Sequence, residues 1–130
     1  MEEQQNNINW EDKTLLIAED EDSNFKYLEI ALRKTKIKVL RAHNGLDAIE
    51  ICKNNPDINA ILMDIKMPEM NGLEAAKRIK EINKDIPIIA LTAYAMANDR
   101  ELSINAGCDD YISKPVRKHR IFSILSKYLD

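Results

Sequence analysis

AILMDIKMPEMNG, residues 60–72, is an apolar run that ends in one carboxylate, Asp64, and then turns through Pro68 and Gly72. Apolar runs of four or five residues are typical of strands that are buried on both faces of a parallel sheet. Open α/β sheets place their ligands at the carboxyl ends of such strands. The stretch therefore predicts an α/β fold with Asp64 at the edge of the sheet where chemistry takes place.

Three other apolar runs are also followed by polar side chains. Because the carboxyl ends of parallel strands meet at one edge, these side chains are expected to converge on Asp64. The predicted edge combines carboxylates, a hydroxyl and an ammonium group. The runs are residues 15–18, followed by the acidic residues 19–22; residues 88–91, followed by Thr92; and residues 111–113, followed by Lys114 and Pro115.

Strand patterns alternate with helix patterns along the whole chain, which indicates βαβ units and a parallel sheet. Five such units fill the length. Asp22 or Ser23 is predicted to cap the first helix. The fourth helix is predicted over residues 96–106 and ends at Gly107, the residue type that favours a left-handed helix terminus.

Composition limits the classes of function. The 130 residues suit one domain, and a net charge of −3 from 19 basic and 22 acidic residues gives no reason to expect direct nucleic-acid binding. Cys52 and Cys108 match no metal-ligand spacing. No apolar run approaches the ~20 residues that span a bilayer, and no signal peptide is recognisable, so the expected location is the cytoplasm.

Residues 1–12 are polar apart from Ile8 and Trp10 and are predicted to form a tail before a domain over residues 13–130.

The strand ends together resemble the receiver domain, the phospho-accepting domain of bacterial two-component response regulators and of hybrid histidine kinases. The resemblance covers residues 14–129. It implies a flavodoxin-like, doubly wound, five-stranded parallel sheet of order 2-1-3-4-5 with five helices. Five motifs in the right order carry it. They are the acidic pair Glu19 and Asp20, the Asp64 pattern M-D-x-x-M-P-x-M-x-G, Thr92 followed by Ala93, the aromatic Tyr111, and Lys114 followed by Pro115.

The resemblance implies that Asp64 accepts a phosphoryl group, with Lys114, the Thr92 hydroxyl and the Ala93 backbone N–H around the phosphoryl oxygens. It also implies Mg²⁺ as the cofactor, because hard oxygen donors suit that ion. The ion's implied ligands are Asp20, Asp64, the backbone carbonyl of Lys66, and Glu19, which stands where Asp is commoner and binds directly or through water. Thr92 and Tyr111 are the implied switch residues.

The implied role is regulatory rather than enzymatic. The implied partners are a histidine kinase or a histidine phosphotransfer domain, with a homodimer possible through the fourth helix, fifth strand and fifth helix. The polar residues before the first strand, and the acidic run that begins at Glu19, favour the receiver of a hybrid histidine kinase over a chemotaxis-type single domain. Lys66 and Tyr94 are bulky where the family's hydrolytic water passes, which predicts slow autodephosphorylation.

Other functions explain the same residues less well. A phosphatase with an aspartyl nucleophile normally carries a second Asp two positions later, where this chain has Lys66. The glycines Gly45, Gly72 and Gly107 are scattered and form no nucleotide-binding loop. A phosphorylation-independent interaction module on a receiver fold stays open as the alternative.

Overall fold

The computed structural model of the chain describes residues 8–67, 70–93 and 97–130, the last range without the side chains of residues 97–100. Five strands form one parallel sheet of order β2-β1-β3-β4-β5, which confirms the predicted topology. The strands are β1 (Thr14–Ala18), β2 (Lys38–Ala42), β3 (Ala60–Asp64), β4 (Ile88–Thr92) and β5 (Asp110–Ser113). The helices are α1 (Asp22–Leu32), α2 (Gly45–Asn54), α3 (Gly72–Ile82), α4 (Ala97–Asn105) and α5 (Lys118–Leu129), and a 3₁₀ turn (Arg33–Thr35) follows α1.

Helices cover both faces of the sheet, so the core has two layers. Side chains alternate along each strand: Leu15 and Ile17 of β1 face one layer, and Leu16 and Ala18 face the other. Helices α1 and α5 pack on the first layer, and α2 and α3 pack on the second. Strands β1, β3 and β4 are buried on both faces, so another molecule can approach them at their ends.

Several helix ends follow local sequence signals. Asn44 accepts a hydrogen bond from the backbone N–H of Asp47 at the start of α2, and Gly107 has the left-handed φ of 98° predicted for it. The prediction that Asp22 or Ser23 caps α1 is wrong. Glu21 occupies the capping position without a side-chain bond to the helix, and the Asp22 carboxylate instead pairs with Arg41 at 2.8 Å. The predicted start of α4 at residue 96 lies outside the described residues.

Trp10 is part of the core, although the sequence predicted a tail over residues 1–12. Its side chain is 2% exposed and stacks on Phe122 with ring centroids 6.0 Å apart. The indole N–H donates to Asp130 at 2.8 Å, and the Trp10 backbone N–H donates to the carbonyl of Thr35. A large apolar ring gains from burial when its polar N–H finds a partner. That partner is 120 positions away in sequence, so no local pattern could reveal it.

Within the described ranges, no helix is both long enough and apolar enough to cross a bilayer.

Candidate functional site

Three carboxylates meet at the carboxyl edge of the sheet. Asp64 is the last residue of β3, and Glu19 and Asp20 follow β1 directly. Strands β1 and β3 are neighbours with Ala18 opposite Met63, which sets the two strand ends side by side. One oxygen from each carboxylate lies within 4.8 Å of the others. Glu19 and Asp64 are buried, whereas Asp20 is exposed, so solvent reaches the cluster from the Asp20 side.

Lys114 pairs with Asp64 across this edge. Its Nζ lies 2.9 Å from Asp64 Oδ2, and the backbone N–H of Lys66 donates to Asp64 Oδ1 at 3.1 Å. Burial alone would lower the pKa of Lys114, but the hydrogen bond and the charge of Asp64 outweigh it and raise the pKa. The ammonium is therefore charged and offsets the repulsion within the carboxylate cluster.

The surroundings of Glu19 raise the pKa of its side chain. Burial raises its pKa from 4.5 to about 7; the hydrogen bond from the Glu21 backbone N–H opposes the shift, and the charge of Asp64 adds to it. Glu19 thus takes up a proton near neutral pH, whereas sequence reasoning treated it simply as one of two acids. The sequence did not predict the raised pKa because it does not show that the long Glu19 side chain turns into the interior rather than toward solvent.

Of the remaining predicted residues, Thr92, Ala93 and Lys66 lie at this edge. Thr92 ends β4 and is buried, and its carbonyl accepts from the Lys114 backbone N–H at 2.7 Å. Ala93, which follows Thr92, is exposed. Tyr111 lies in β5 opposite Ala90 and is half-buried against the layer formed by α2 and α3. The side chain of Lys66 is exposed, and Tyr94 lies outside the described residues.

The turn between β3 and α3 approaches Asp64 closely. The backbone N–H of Gly72 donates to the carbonyl of Ile65 at 2.7 Å. A side chain at Gly72 would overlap the Asp64 carbonyl oxygen and come within 2.9 Å of Ile65 Cα. Glycine is therefore needed here for space, because the first turn of α3 lies directly against the backbone of Asp64.

Sequence reasoning missed Arg41, which belongs to the same edge. It lies near the end of β2 and donates from Nε and Nη2 to the backbone carbonyl oxygen of Glu19, at 3.2 and 3.1 Å. The available signal was a basic residue within the otherwise apolar stretch VLRA, two positions before the turn that begins α2. Such a residue near a strand end is ordinarily solvated, so sequence alone gave no reason to connect it with Glu19.

A cavity of about 420 Å³ opens beside the carboxylate cluster. Its polar lining comes from Glu19, Asn24, Lys114 and Arg117. Most of the rest is apolar surface from α1 and from the segment after β5, contributed by Tyr27, Leu28 and Val116. Lys114, which is half-buried and pairs with the buried Asp64, therefore borders a surface that a second molecule can approach.

Comparisons with known proteins agree with this geometry. Residues 15–126 match the family described as the response regulator receiver domain. The chain is 38% identical over 120 residues to the polar-differentiation response regulator DivK of Brucella anthropi, which covers 90% of this chain and 96% of that protein.

Solved structures share the fold at comparable identity. One is from the co-crystal of the Saccharomyces cerevisiae histidine phosphotransfer protein Ypd1 with the receiver domain of the response regulator Ssk1; it is 32% identical, with a TM-score of 0.85, and covers 90% of this chain and 88% of that one. Another is the receiver domain of the Pseudomonas aeruginosa sensor histidine kinase PA1611, with magnesium in its active-site cleft. It is also 32% identical, with a TM-score of 0.83, and covers 90% of this chain and 97% of that one.

Proposed function

The chain belongs to the response regulator receiver domain family, and from that premise we propose that Asp64 accepts a phosphoryl group from a phosphohistidine. The observation that carries the proposal is the buried Asp64 carboxylate held between Lys114 and the acidic pair. A carboxylate that is only structural needs no exposed acidic neighbour beside it. The arrangement suits a group that must receive a charged substrate at a partly open edge.

The transfer would proceed by attack of an Asp64 carboxylate oxygen on phosphorus. The P–N bond to the donor imidazole breaks as the O–P bond forms, and the imidazole takes up a proton. The transition state is loose and spreads charge over the equatorial oxygens, so catalysis consists mainly of positioning and charge stabilisation. Lys114, which follows β5, and the Thr92 hydroxyl and Ala93 backbone N–H at the end of β4 would hold these oxygens.

The residues present fit a magnesium ion. Glu19, Asp20 and Asp64 supply hard oxygen donors within 4.8 Å of one another, and Asp20 faces solvent, from which the ion would enter. Asp20 and Asp64 would bind it directly, Glu19 directly or through water, and the Lys66 backbone carbonyl would complete the protein's contribution. When bound, the ion supplies positive charge that reduces the repulsion between Asp64 and the anionic donor. The magnesium in the PA1611 receiver supports this assignment.

Phosphorylation would act on a surface away from Asp64. An added phosphoryl group carries about −1.5 to −2 of charge, which would draw the Thr92 hydroxyl toward it. Tyr111 would then move toward the space that Thr92 vacates. The result would be a shift in the population of conformations of the face made by α4, β5 and α5, and this face would bind a partner or a second copy of the chain.

The proposed donor is a histidine kinase or a histidine phosphotransfer domain, and the Ypd1 co-crystal supports that class of partner. The cavity beside Lys114 offers apolar surface against which such a donor could pack while its histidine reaches Asp64. The likeness to the PA1611 receiver is compatible with origin in a hybrid histidine kinase. We also propose that this domain meets its phosphohistidine donor in the cytoplasm.

A phosphorylation-independent interaction module is the second candidate. Intact-mass analysis after incubation with acetyl phosphate, with and without Mg²⁺, separates the two. The proposed function predicts a Mg²⁺-dependent gain of one phosphoryl group that Asp64→Asn abolishes. The matched control, Asp57→Asn, changes an exposed acid outside the site and should be phosphorylated like the wild type. No gain in a folded wild-type protein would favour the interaction module.

A further inference from the structure

Arg41 connects β2 to the loop that carries the acidic pair. Its guanidinium donates twice to the Glu19 carbonyl oxygen, at 3.2 and 3.1 Å, and pairs with Asp22 at 2.8 Å. The same group lies over the ring of Phe25, 4.6 Å from the centroid. One side chain therefore contacts the start of the loop and the first turn of α1.

The contact with Glu19 determines the orientation of a peptide group. The Glu19 carbonyl belongs to the peptide that links Glu19 to Asp20, and the peptide unit is planar. The N–H of Glu19 is also held, because it donates to the carbonyl of Ala42 at 3.0 Å. Both peptide groups that flank Glu19 are thus attached to the end of β2. The direction in which the chain presents Asp20 follows from these attachments.

The contact with Asp22 contributes less. The Asp22 side chain is 91% exposed, and exposed ion pairs add little to stability. Arg41 itself is only 17% exposed, and its planar group matches one carbonyl oxygen with two N–H donors. Lysine carries the same charge on a flexible stem but cannot reproduce that paired donation. Replacing Arg41 with lysine therefore keeps the charge and removes the paired hydrogen bonds, so the two contributions of the side chain can be measured separately.

We propose that Arg41 is a positioning residue for the divalent-cation site, acting through the Glu19–Asp20 peptide group. This inference rests on the proposed function, in which Asp20 binds Mg²⁺. Holding the peptide in one orientation removes an ordering cost that the loop would otherwise meet when the ion binds. Repulsion between the guanidinium and the ion would act in the opposite direction. On substitution of Arg41, loss of positioning would weaken Mg²⁺ binding, whereas loss of repulsion would strengthen it.

Calorimetric titration with Mg²⁺ tests the proposal without measuring phosphorylation. Arg41→Lys and Arg41→Gln should each raise the Kd for Mg²⁺ roughly tenfold, the low end of what loss of a group that orients a metal ligand produces. Asp22→Asn, which keeps the bonds to Glu19, should bind like the wild type. Arg78→Lys is the matched control, because Arg78 forms an exposed ion pair with Glu74 on α3. In phosphorylation assays, Arg41→Lys should raise the Mg²⁺ concentration for half-maximal rate and leave the maximal rate nearly unchanged.

A general loss of stability must be distinguished from loss of positioning. Trp10→Phe weakens the core at the opposite end of the sheet, and its Kd for Mg²⁺ should stay at the wild-type value even if its Tm falls as far as that of Arg41→Lys. Wild-type affinity in Arg41→Lys would overturn the proposal. Tighter binding in Arg41→Gln would also overturn it, because charge repulsion would then dominate. If the wild type binds no Mg²⁺ but is phosphorylated, the proposed cation site itself fails, and the role of Arg41 fails with it.

Discussion

The Nζ atom of Lys114 lies 2.9 Å from Oδ2 of Asp64, although 50 positions separate the two residues in the sequence. The pair places a cation beside the carboxylate that we propose as phospho-acceptor. Ion pairs between Lys and Asp also occur elsewhere in this chain, as between Lys127 and Asp110 at 2.8 Å. The Lys114–Asp64 pair differs because its carboxylate is buried and belongs to an acidic cluster.

Lys114→Met should slow phosphorylation of Asp64 by acetyl phosphate roughly 100-fold at saturating Mg²⁺, because one fixed charge at the phosphoryl oxygens is lost. The rate is measured by the gain of mass with time. Lys127→Met is the matched control, since it breaks a similar pair at the other end of β5. Equal rates in the two variants would remove Lys114 from the mechanism.

Glu19→Gln should make the stability of the protein less dependent on pH. Burial raises the pKa of Glu19 to about 7 from 4.5, among the charged groups of Asp20, Asp64 and Lys114. The folded state thus retains a proton that the unfolded chain releases, so the stability this group contributes is complete below pH ~4.5 and is lost as the pH rises through ~7. The variant should gain stability over the wild type between about pH 5 and about pH 8.

The measurement for Glu19→Gln is the free energy of unfolding in urea at both pH values, in the presence of a chelator. Glu50→Gln changes an exposed glutamate of α2 and should not alter the pH dependence. A constant difference between Glu19→Gln and the wild type across this range would contradict a raised pKa.

Gly72→Ala should destabilise the fold by about 1–3 kcal/mol, because the added methyl group has no space against the backbone of Asp64 and Ile65. It should also slow phosphorylation, since the turn that would move carries the Lys66 backbone. Urea unfolding measures the first effect. Lys77→Ala, an exposed change in the same helix, should stay within about 0.5 kcal/mol of the wild type.

Trp10→Ala should lower the free energy of unfolding by about 3–5 kcal/mol, as expected for removal of a buried aromatic ring. Trp10→Phe, which keeps a ring but loses the hydrogen bond to Asp130, should cost about 1 kcal/mol. Leu46→Ala provides the contrast, because Leu46 is 44% exposed. If truncation at Trp10 cost no more than truncation at Leu46, residues 8–12 would behave as the tail that the sequence suggested.

Phosphorylated Asp64 should lose its phosphoryl group slowly, because Lys66 and Tyr94 are bulky residues at positions that flank the path of water in this family. Lys66→Ala, combined with Tyr94→Ala, should shorten the half-life measured by mass analysis after the phosphodonor is removed. Lys77→Ala serves as the control for loss of an exposed lysine. A wild-type half-life of only seconds would be incompatible with this prediction.

The sequence by itself determined the strands, their order along the chain and the groups that follow each strand. These properties depend on short apolar runs and on the residue types at their ends, which act locally. The resemblance to receiver domains then supplied the sheet order, which the structure confirms. The convergence of Asp64 with Glu19, Asp20 and Lys114 followed from the rule that parallel strands end at one edge.

The tertiary structure alone decided how individual side chains at that edge are used. Glu19 turns inward and its pKa rises, Arg41 holds the Glu19 carbonyl, and Asp22 pairs with Arg41 instead of capping α1. Trp10 likewise joins the core through partners 112 and 120 positions away. Burial and long-range hydrogen bonds depend on which distant segments become neighbours, and no periodicity within a segment encodes them. The sequence therefore determined the chemistry available at the site, and the packing of the fold decided the environment of each group.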